Sequence, residues 1–209
     1  FFFFKQKTAY EIPKRDWSSD VCSSDLGVPA ALYSAFAGEL VRSRTFRRRY
    51  TSDRSSPAGV LASMNTILHE RQLEQYYCTL CYALFDLKRR TVVLANSGLP
   101  YPVRCSGGEV SQIELAGVPL GSFAGSVYDE VSFDLKAGDV YVFCSDGVFE
   151  AVNGEGLEFG VERLAPIVRE SRTLPAKAIV EAIYSAVTDF RGDVPARDDM
   201  TVVALRITS

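Results

Sequence analysis

The chain has 209 residues, 23 of them basic and 26 acidic, which gives a net charge of −3. This length is enough for one domain with a buried core. The nearly balanced charge argues against binding to nucleic acid or a membrane surface through net charge, and no apolar run approaches the roughly 18 residues of a membrane-spanning helix. The five cysteines are too sparse for a disulfide scaffold, which favours a reducing compartment, the cytoplasm.

The first 26 residues differ in pattern from the rest of the chain. They begin with four phenylalanines and end in serine–aspartate repeats, without a helix-capping signal or a sustained hydrophobic period. A secretory signal would need basic residues ahead of a longer apolar stretch. Lys5–Ile12 and Asp16–Leu26 resemble translated sequencing adapters. We therefore expect residues 1–26 to be a non-native, disordered segment; the alternative is an unusual disordered tail.

The chain from residue 27 to residue 209 shows orderly hydrophobic periods. A helix is predicted over Val28–Ser43, and an arginine-rich stretch up to Arg54 is a solvated connector or, alternatively, a site for a phosphorylated partner. A second helix begins at Ser56 and Pro57, and apolar residues follow at helical spacing: Val60, Leu61, Met64, Ile67 and Leu68. Apolar or alternating runs separated by turn residues predict six strands: Tyr76–Phe85, Thr91–Ala95, Tyr101–Cys105, Val110–Leu115, Ser126–Leu135 and Asp139–Cys144.

The last part of the chain returns to helical periods and then to a strand. Helices are predicted over Gly160–Glu170 and Ala176–Asp189, and a final strand over Met200–Ile207. Strands grouped in the middle and flanked by helices are typical of an α+β fold and not of alternating βαβ units.

Acidic residues occur at two predicted strand ends. Asp146 and Gly147 follow the apolar strand that ends at Cys144, and Asp198 and Asp199 come just before the last strand. Adjacent carboxylates repel each other, and hard divalent cations such as Mg²⁺ and Mn²⁺ prefer such oxygen ligands. The two turns together are compatible with one shared metal site. The alternatives are an ordinary Asp-Gly turn and a solvated acidic loop.

Other catalytic or metal-binding patterns are weak. Cys78 and Cys81 have CxxC spacing, but they lie in a strand pattern, where positions i and i+3 point to opposite faces, and no second pair exists. His69 is the only histidine and lies in a helical pattern without the second histidine of a zinc protease. An enzyme built from this sequence would therefore depend on acids and metal.

The order of the motifs resembles that of the metal-dependent serine/threonine phosphatases, the PPM family, in the bacterial branch of the SpoIIE and RsbU sigma-factor regulators. The similar stretches cover nearly all of residues 27–209: Gly27–Leu32, Asn65, Cys78–Tyr82, Asn96–Gly98, Gly117–Gly121, Gly138–Asp139, Ser145–Ala151, Phe159–Gly160 and Asp198–Val202.

The resemblance implies a fold, a site and a reaction. The fold would be a sandwich of two antiparallel β-sheets flanked by helices, in αββα layers. The site would hold two Mn²⁺ or Mg²⁺ ions, with Asp146 and Asp198 as ligands and Asp199 as a further acid beside them. The ions would activate a water that attacks phosphoserine or phosphothreonine in a regulatory phosphoprotein. An anti-sigma-factor antagonist would be one such substrate, and an upstream sensor domain would fit this branch.

Two departures from the family pattern affect these expectations. Of the motif Asp-x-x-Gly-His-Gly only Gly27 remains, and Cys22 stands where the bridging aspartate belongs. Leu99 replaces a histidine found in many relatives. Because the first strands and a ligand are missing, we expect weak metal binding, little phosphatase activity and an unpaired sheet edge prone to aggregation. Two alternatives stay open: a pseudophosphatase that binds a partner without catalysis, and an unrelated α+β domain whose acids are only turns.

Overall fold

The computed structural model describes residues 2–4, 39, 56–70 and 78–208. The predicted helix over Val28–Ser43, apart from Glu39, and the arginine-rich stretch after it lie outside these residues. The described helices and strands group into two compact units, the first from the parts up to Leu99 and 115–133, the second from 100–114 and the part after Phe133. Two four-stranded sheets accompanied by helices confirm the predicted α+β class.

The first unit contains a sheet of strand order β1-β2-β3-β6 and one helix. The bounds are β1 Phe2–Phe4, α1 Pro57–Glu70, β2 Leu80–Asp86, β3 Thr91–Asn96 and β6 Glu130–Asp134. Strands β2 and β3 pair antiparallel, with Cys81 opposite Asn96 and Asp86 opposite Thr91. The turn between them lies between two of the predicted strands, Tyr76–Phe85 and Thr91–Ala95.

Strand β1 occupies part of the outer edge of β2. Phe2 pairs with Tyr82 and Phe4 with Leu80, in antiparallel orientation. Strand β2 therefore has a strand partner on both sides at Cys81 and Tyr82. The unpaired edge expected from the sequence does not lie at this part of β2.

Helix α1 begins at Pro57 because Ser56 caps it. The Ser56 Oγ accepts a hydrogen bond from the Gly59 backbone N–H at 3.1 Å, which satisfies one of the free donors of the first turn. The buried face of the helix includes Leu61 and Met64, both without exposed surface. This face packs in one cluster with Leu80 and Tyr82 of β2. The helix and its apolar spacing were both predicted from the sequence.

Asn65 of α1 fixes the loop before β6. It has no exposed surface, its Nδ2 donates to the Phe123 carbonyl at 2.9 Å, and its Oδ1 accepts from the Gly121 N–H at 2.9 Å. The Tyr128 hydroxyl also donates to Oδ1, at 3.3 Å, and burial raises the pKa of Tyr128 to about 12. One side chain thus holds a loop that the sequence pattern leaves unspecified.

Replacing Asn65 with alanine should destabilise the first unit. The change removes all three hydrogen bonds of a fully buried amide, at a cost of about 2 kcal/mol in the free energy of unfolding. Urea denaturation of the variant measures this loss. Thr66→Ala is the matched control, because Thr66 is the exposed neighbour on the same helix, and it should change stability much less. Equal stabilities of the two variants would contradict the assigned role of Asn65.

The second unit contains a sheet of strand order β5-β4-β7-β8 and three helices. The bounds are β4 Val103–Ser106, β5 Glu109–Gln112, β7 Val140–Cys144, α2 Asp146–Phe149, α3 Gly160–Ser171, α4 Ala176–Arg191 and β8 Val202–Arg206. Neighbouring strands pair antiparallel. All five residues of β7 are buried, which explains the continuous apolar run in its sequence.

Helices α3 and α4 contribute their apolar faces to the core of this unit. Leu164 of α3 and Ile183 of α4 have no exposed surface and lie in one cluster with Val142 of β7. Phe159, just before α3, contacts Phe190 edge-to-face with ring centroids 5.5 Å apart. This packing fixes both helices against the sheet that carries the acidic turns.

The sequence pattern located most of these elements but predicted several strands to be longer than they are. The predicted strand Ser126–Leu135 is Glu130–Asp134, because the preceding residues belong to the loop that Asn65 holds. The short helix α2 has no counterpart among the predicted elements. Within the part of the chain that the structure describes, none of the helices is long and apolar enough to span a membrane.

Candidate functional site

Asp146 lies at the end of the most deeply buried strand of the second unit. It is half-buried, and its Oδ1 accepts a hydrogen bond from the Gly147 N–H at 2.9 Å. Helix α2 begins at this residue, so the chain turns sharply as it leaves β7. A rigid strand end therefore holds the carboxylate in a defined place.

Asp198 and Asp199 form the turn before β8, the neighbour of β7 in the sheet. Both are half-buried, and the Asp198 Oδ1 accepts a hydrogen bond from the Asp199 N–H at 2.7 Å. Because β7 and β8 are antiparallel, with Cys144 opposite Val202, the end of β7 lies beside the start of β8. The sheet thus brings the two predicted acidic turns to one edge.

Ser145 joins the two turns directly. It has no exposed surface, and its Oγ donates to the Asp199 carbonyl at 2.9 Å and accepts from the Thr201 N–H at 2.9 Å. Its own N–H donates to the Thr201 carbonyl at 3.0 Å. Ser145 is not among the site residues predicted from the sequence. Its partners Asp199 and Thr201 lie more than 50 positions further along the chain, so no local sequence pattern indicates the link.

Gly147 lets the two turns approach each other. A Cβ at this position would meet the carbonyl oxygen of Asp199 and would lie 2.9 Å from its carbonyl carbon. It would also lie 3.3 Å from the Asp198 carbonyl carbon. Only glycine permits this backbone contact, so the Asp-Gly pair is more than an ordinary turn.

The nearby thiol and phenol are poorly suited to act as nucleophiles. Burial raises the pKa of the Cys144 thiol far above its ordinary value, so it stays protonated. Burial also raises the pKa of Tyr184, whose hydroxyl donates to the Met200 carbonyl at 2.8 Å. Tyr184 therefore supports the backbone next to the acidic turn.

The carboxylates have the oxygen donors that a hard divalent cation prefers, but too few of them are grouped together. Oxygen ligands suit Mg²⁺ and Mn²⁺. Among the described residues, however, no three His, Cys, Asp or Glu side chains are grouped so that they could hold a metal ion. Cys22, where the sequence lacks the expected aspartate, is outside the described residues. The described part of the site is therefore an incomplete donor set for two ions.

The remaining candidates from the sequence have structural roles. Cys78 forms an isolated bridge with Leu120, and Cys81 lies in β2. Burial raises the pKa of each thiol to about 12. His69 is exposed near the end of α1, with its Nδ1 3.3 Å from the Gly121 carbonyl oxygen. The two thiols therefore stay protonated, and the imidazole contacts a loop carbonyl.

Comparison with known families gives one match over most of the chain. The family described as "Stage II sporulation protein E (SpoIIE)" matches residues 20–208. Stage II sporulation protein E of Bacillus subtilis (strain 168) is 27% identical over 148 residues, which are 70% of this chain and 17% of that protein. Phosphoserine phosphatase RsbU of the same organism is 25% identical over 154 residues, 72% of this chain and 45% of RsbU. The chain thus spans less than half the length of these relatives.

Solved structures of low identity share the fold. The SiaA-PP2C domain of Pseudomonas aeruginosa aligns with a TM-score of 0.69 at 22% identity, covering 87% of this chain and 71% of that one. The catalytic domain of the serine threonine protein phosphatase PstP, in complex with two manganese ions, aligns with a TM-score of 0.55 at 17% identity. It covers 85% of this chain and 83% of the PstP chain.

Proposed function

Because the chain belongs to the SpoIIE family of PP2C-type phosphatase domains, we propose that its domain hydrolyses phosphoserine or phosphothreonine in a regulatory phosphoprotein. The observation that carries the proposal is the pair of acidic turns, joined by Ser145 and by the close contact at Gly147. The alternative of an unrelated α+β domain is wrong, since the family match spans residues 20–208.

The residues proposed to hold the divalent cation are Asp146 and Asp198, with Asp199 beside them. Mn²⁺ or Mg²⁺ fits their oxygen donors, and manganese is present in the PstP structure of the same fold. A bound cation would supply a water of lowered pKa for attack on phosphorus. The contribution of this chain's own residues is to hold two carboxylates at one sheet edge, through Ser145 and Gly147, before any ligand arrives.

The proposed substrate is a phosphorylated protein of sigma-factor or stress signalling, for example an anti-sigma-factor antagonist. The match to phosphoserine phosphatase RsbU supports this class of substrate. A sensor domain upstream would fit relatives that are more than twice as long as the matched region. The proposed compartment is the cytoplasm, which the four free cysteines of the described residues favour.

Phosphate release from a phosphoserine peptide, with Mn²⁺, tests the proposal. The natural upstream sequence, read from the flanking DNA, would replace residues 1–26. We expect turnover in this restored chain and little in the 209-residue chain, whose Cys22 stands in place of an aspartate. Asp146→Asn in the restored chain should lower turnover by about 100-fold or more, because metal stabilisation of the transition state contributes several kcal/mol.

The matched control is Asp193→Asn, which alters an exposed acid of the same unit. Its turnover should equal that of the restored chain. Similar turnover in the 209-residue and restored chains would contradict the missing-ligand argument.

A pseudophosphatase is the second candidate function. The observation that favours it is the absence, among the described residues, of a metal-binding group of three side chains. A restored chain that binds the phosphopeptide tightly without hydrolysing it would establish this function instead.

A further inference from the structure

A small cavity of about 110 Å³ lies beside Asp198, within the second unit. Its lining includes Gly147 and Asp198 from the two turns, Glu150 and Glu158, and two arginines, Arg191 and Arg197. The cavity therefore adjoins one proposed cation ligand, Asp198, and also contains two positively charged side chains. Neither the sequence motifs nor the family match assigns these arginines a role.

Arg191 is the more constrained of the two arginines. It is the last residue of α4 and is half-buried, whereas Arg197 is exposed. Its Nε is buried and has no hydrogen-bond partner among the described residues. The ion pairs found among those residues do not include it.

A buried guanidinium donor without an acceptor is unfavourable. The positive charge does interact well with the C-terminus of α4, but this leaves the Nε–H unsatisfied. An acceptor from a ligand in the cavity would satisfy it.

We propose that Arg191 binds an oxyanion in this cavity, namely the phosphoryl group of the substrate or the phosphate released from it. This assignment rests on the proposed phosphatase function. Guanidinium groups bind phosphate with paired, charge-assisted hydrogen bonds, which an ammonium group cannot reproduce. Arg191 would act as a substrate-binding residue that holds the phosphoryl oxygens next to Asp198.

The acidic residues of the lining determine the conditions under which the anion binds. Glu150 and Glu158 are exposed, so water and salt screen their repulsion of a phosphate. Asp198 is half-buried and repels an anion until a cation neutralises it. Phosphate should therefore bind weakly without a divalent cation and more tightly with Mn²⁺, and in both conditions the affinity should depend on Arg191.

Amide NMR titration of the 209-residue chain with inorganic phosphate, at constant ionic strength, tests the inference. We expect phosphate to shift the Gly147 and Asp198 amides, and Arg191→Gln to raise the dissociation constant about tenfold, the size of one charge-assisted hydrogen bond. Arg191→Lys should bind phosphate with intermediate affinity, since it keeps the charge but not the paired donors. Arg89→Gln, on an exposed hairpin, is the control and should bind like the unmodified chain.

Three outcomes would overturn the inference. They are equal phosphate affinity in all four proteins, no shift of the two cavity amides, and acetate binding as tight as phosphate binding, which would assign the cavity to a carboxylate. If Arg191→Gln does not fold, the phosphate affinity of Arg191→Lys still tests the inference, because it should be lower than that of the unmodified chain. Because the titration needs no turnover, it separates the two claims. Hydrolysis without Arg191-dependent phosphate binding rejects the inference alone, and Arg191-dependent binding without hydrolysis in the restored chain rejects the proposed function alone.

Discussion

Gly147→Ala should separate the two acidic turns and weaken both the fold and the site. The new methyl group would meet the backbone carbonyl of Asp199, which cannot rotate away as a side chain can. Overpacking of this kind costs about 1–3 kcal/mol in the free energy of unfolding. Because the turns hold the proposed ligands, Mn²⁺ affinity should fall about 10- to 100-fold, as when groups that orient metal ligands are lost.

Urea denaturation measures the loss of stability, and Mn²⁺ titration of the restored chain by electron paramagnetic resonance measures the loss of affinity. Gly154→Ala is the matched control, since a Cβ there meets no atom within 4 Å. This variant should retain both the stability and the Mn²⁺ affinity of the unmodified chain. If Gly147→Ala behaved in the same way, the close contact would have no importance for the site.

Asp139→Ala should cause a loss of stability of similar or greater size in the same unit. The Asp139 Oδ2 lies 3.1 Å from the Arg104 Nη2, and the two side chains are 1% and 17% exposed. Oδ2 also accepts the Lys136 N–H at 3.2 Å. Removing the carboxylate leaves a largely buried cation without its counter-charge, which costs about 3 kcal/mol.

The exposed pair Lys177–Glu181 provides the control. Its charged atoms are 3.7 Å apart, and its side chains are 82% and 65% exposed. Glu181→Ala should therefore cost less than about 1 kcal/mol in urea denaturation. The double replacement Arg104→Met with Asp139→Leu should recover much of the stability lost in Asp139→Ala, because apolar residues of similar size leave no buried charge. Equal losses in Asp139→Ala and Glu181→Ala would contradict the burial argument.

The sequence was sufficient for the elements with a strong hydrophobic period. The all-apolar run of β7 and the spacing of Leu61, Met64 and Leu68 in α1 gave the right element in the right place. The acidic turns were also predicted, because Asp146 and Asp198 each adjoin a strand. Their meeting at one edge follows from the antiparallel pairing of β7 with β8.

The links that hold the site could not be read from the sequence. Ser145 and Gly147 act on Asp199 and Thr201, and such long-range contacts depend on the register of β7 with β8, which no local pattern specifies. The contacts of Asn65 could not be predicted for the same reason, because its partners Gly121 and Phe123 lie in a loop far along the chain. Arg191 gives no sequence signal, because an arginine at a helix end is common.

The link between Ser145 and Asp199 joins residues 54 positions apart and therefore has a kinetic consequence. Contacts of such long sequence separation are slow to form, because the loop between them must close first. Helices α2, α3 and α4 lie within that loop, so the acids meet only when the chain that contains these helices closes. A cation that binds both turns therefore binds only the folded chain. It should slow unfolding and leave the rate of folding nearly unchanged.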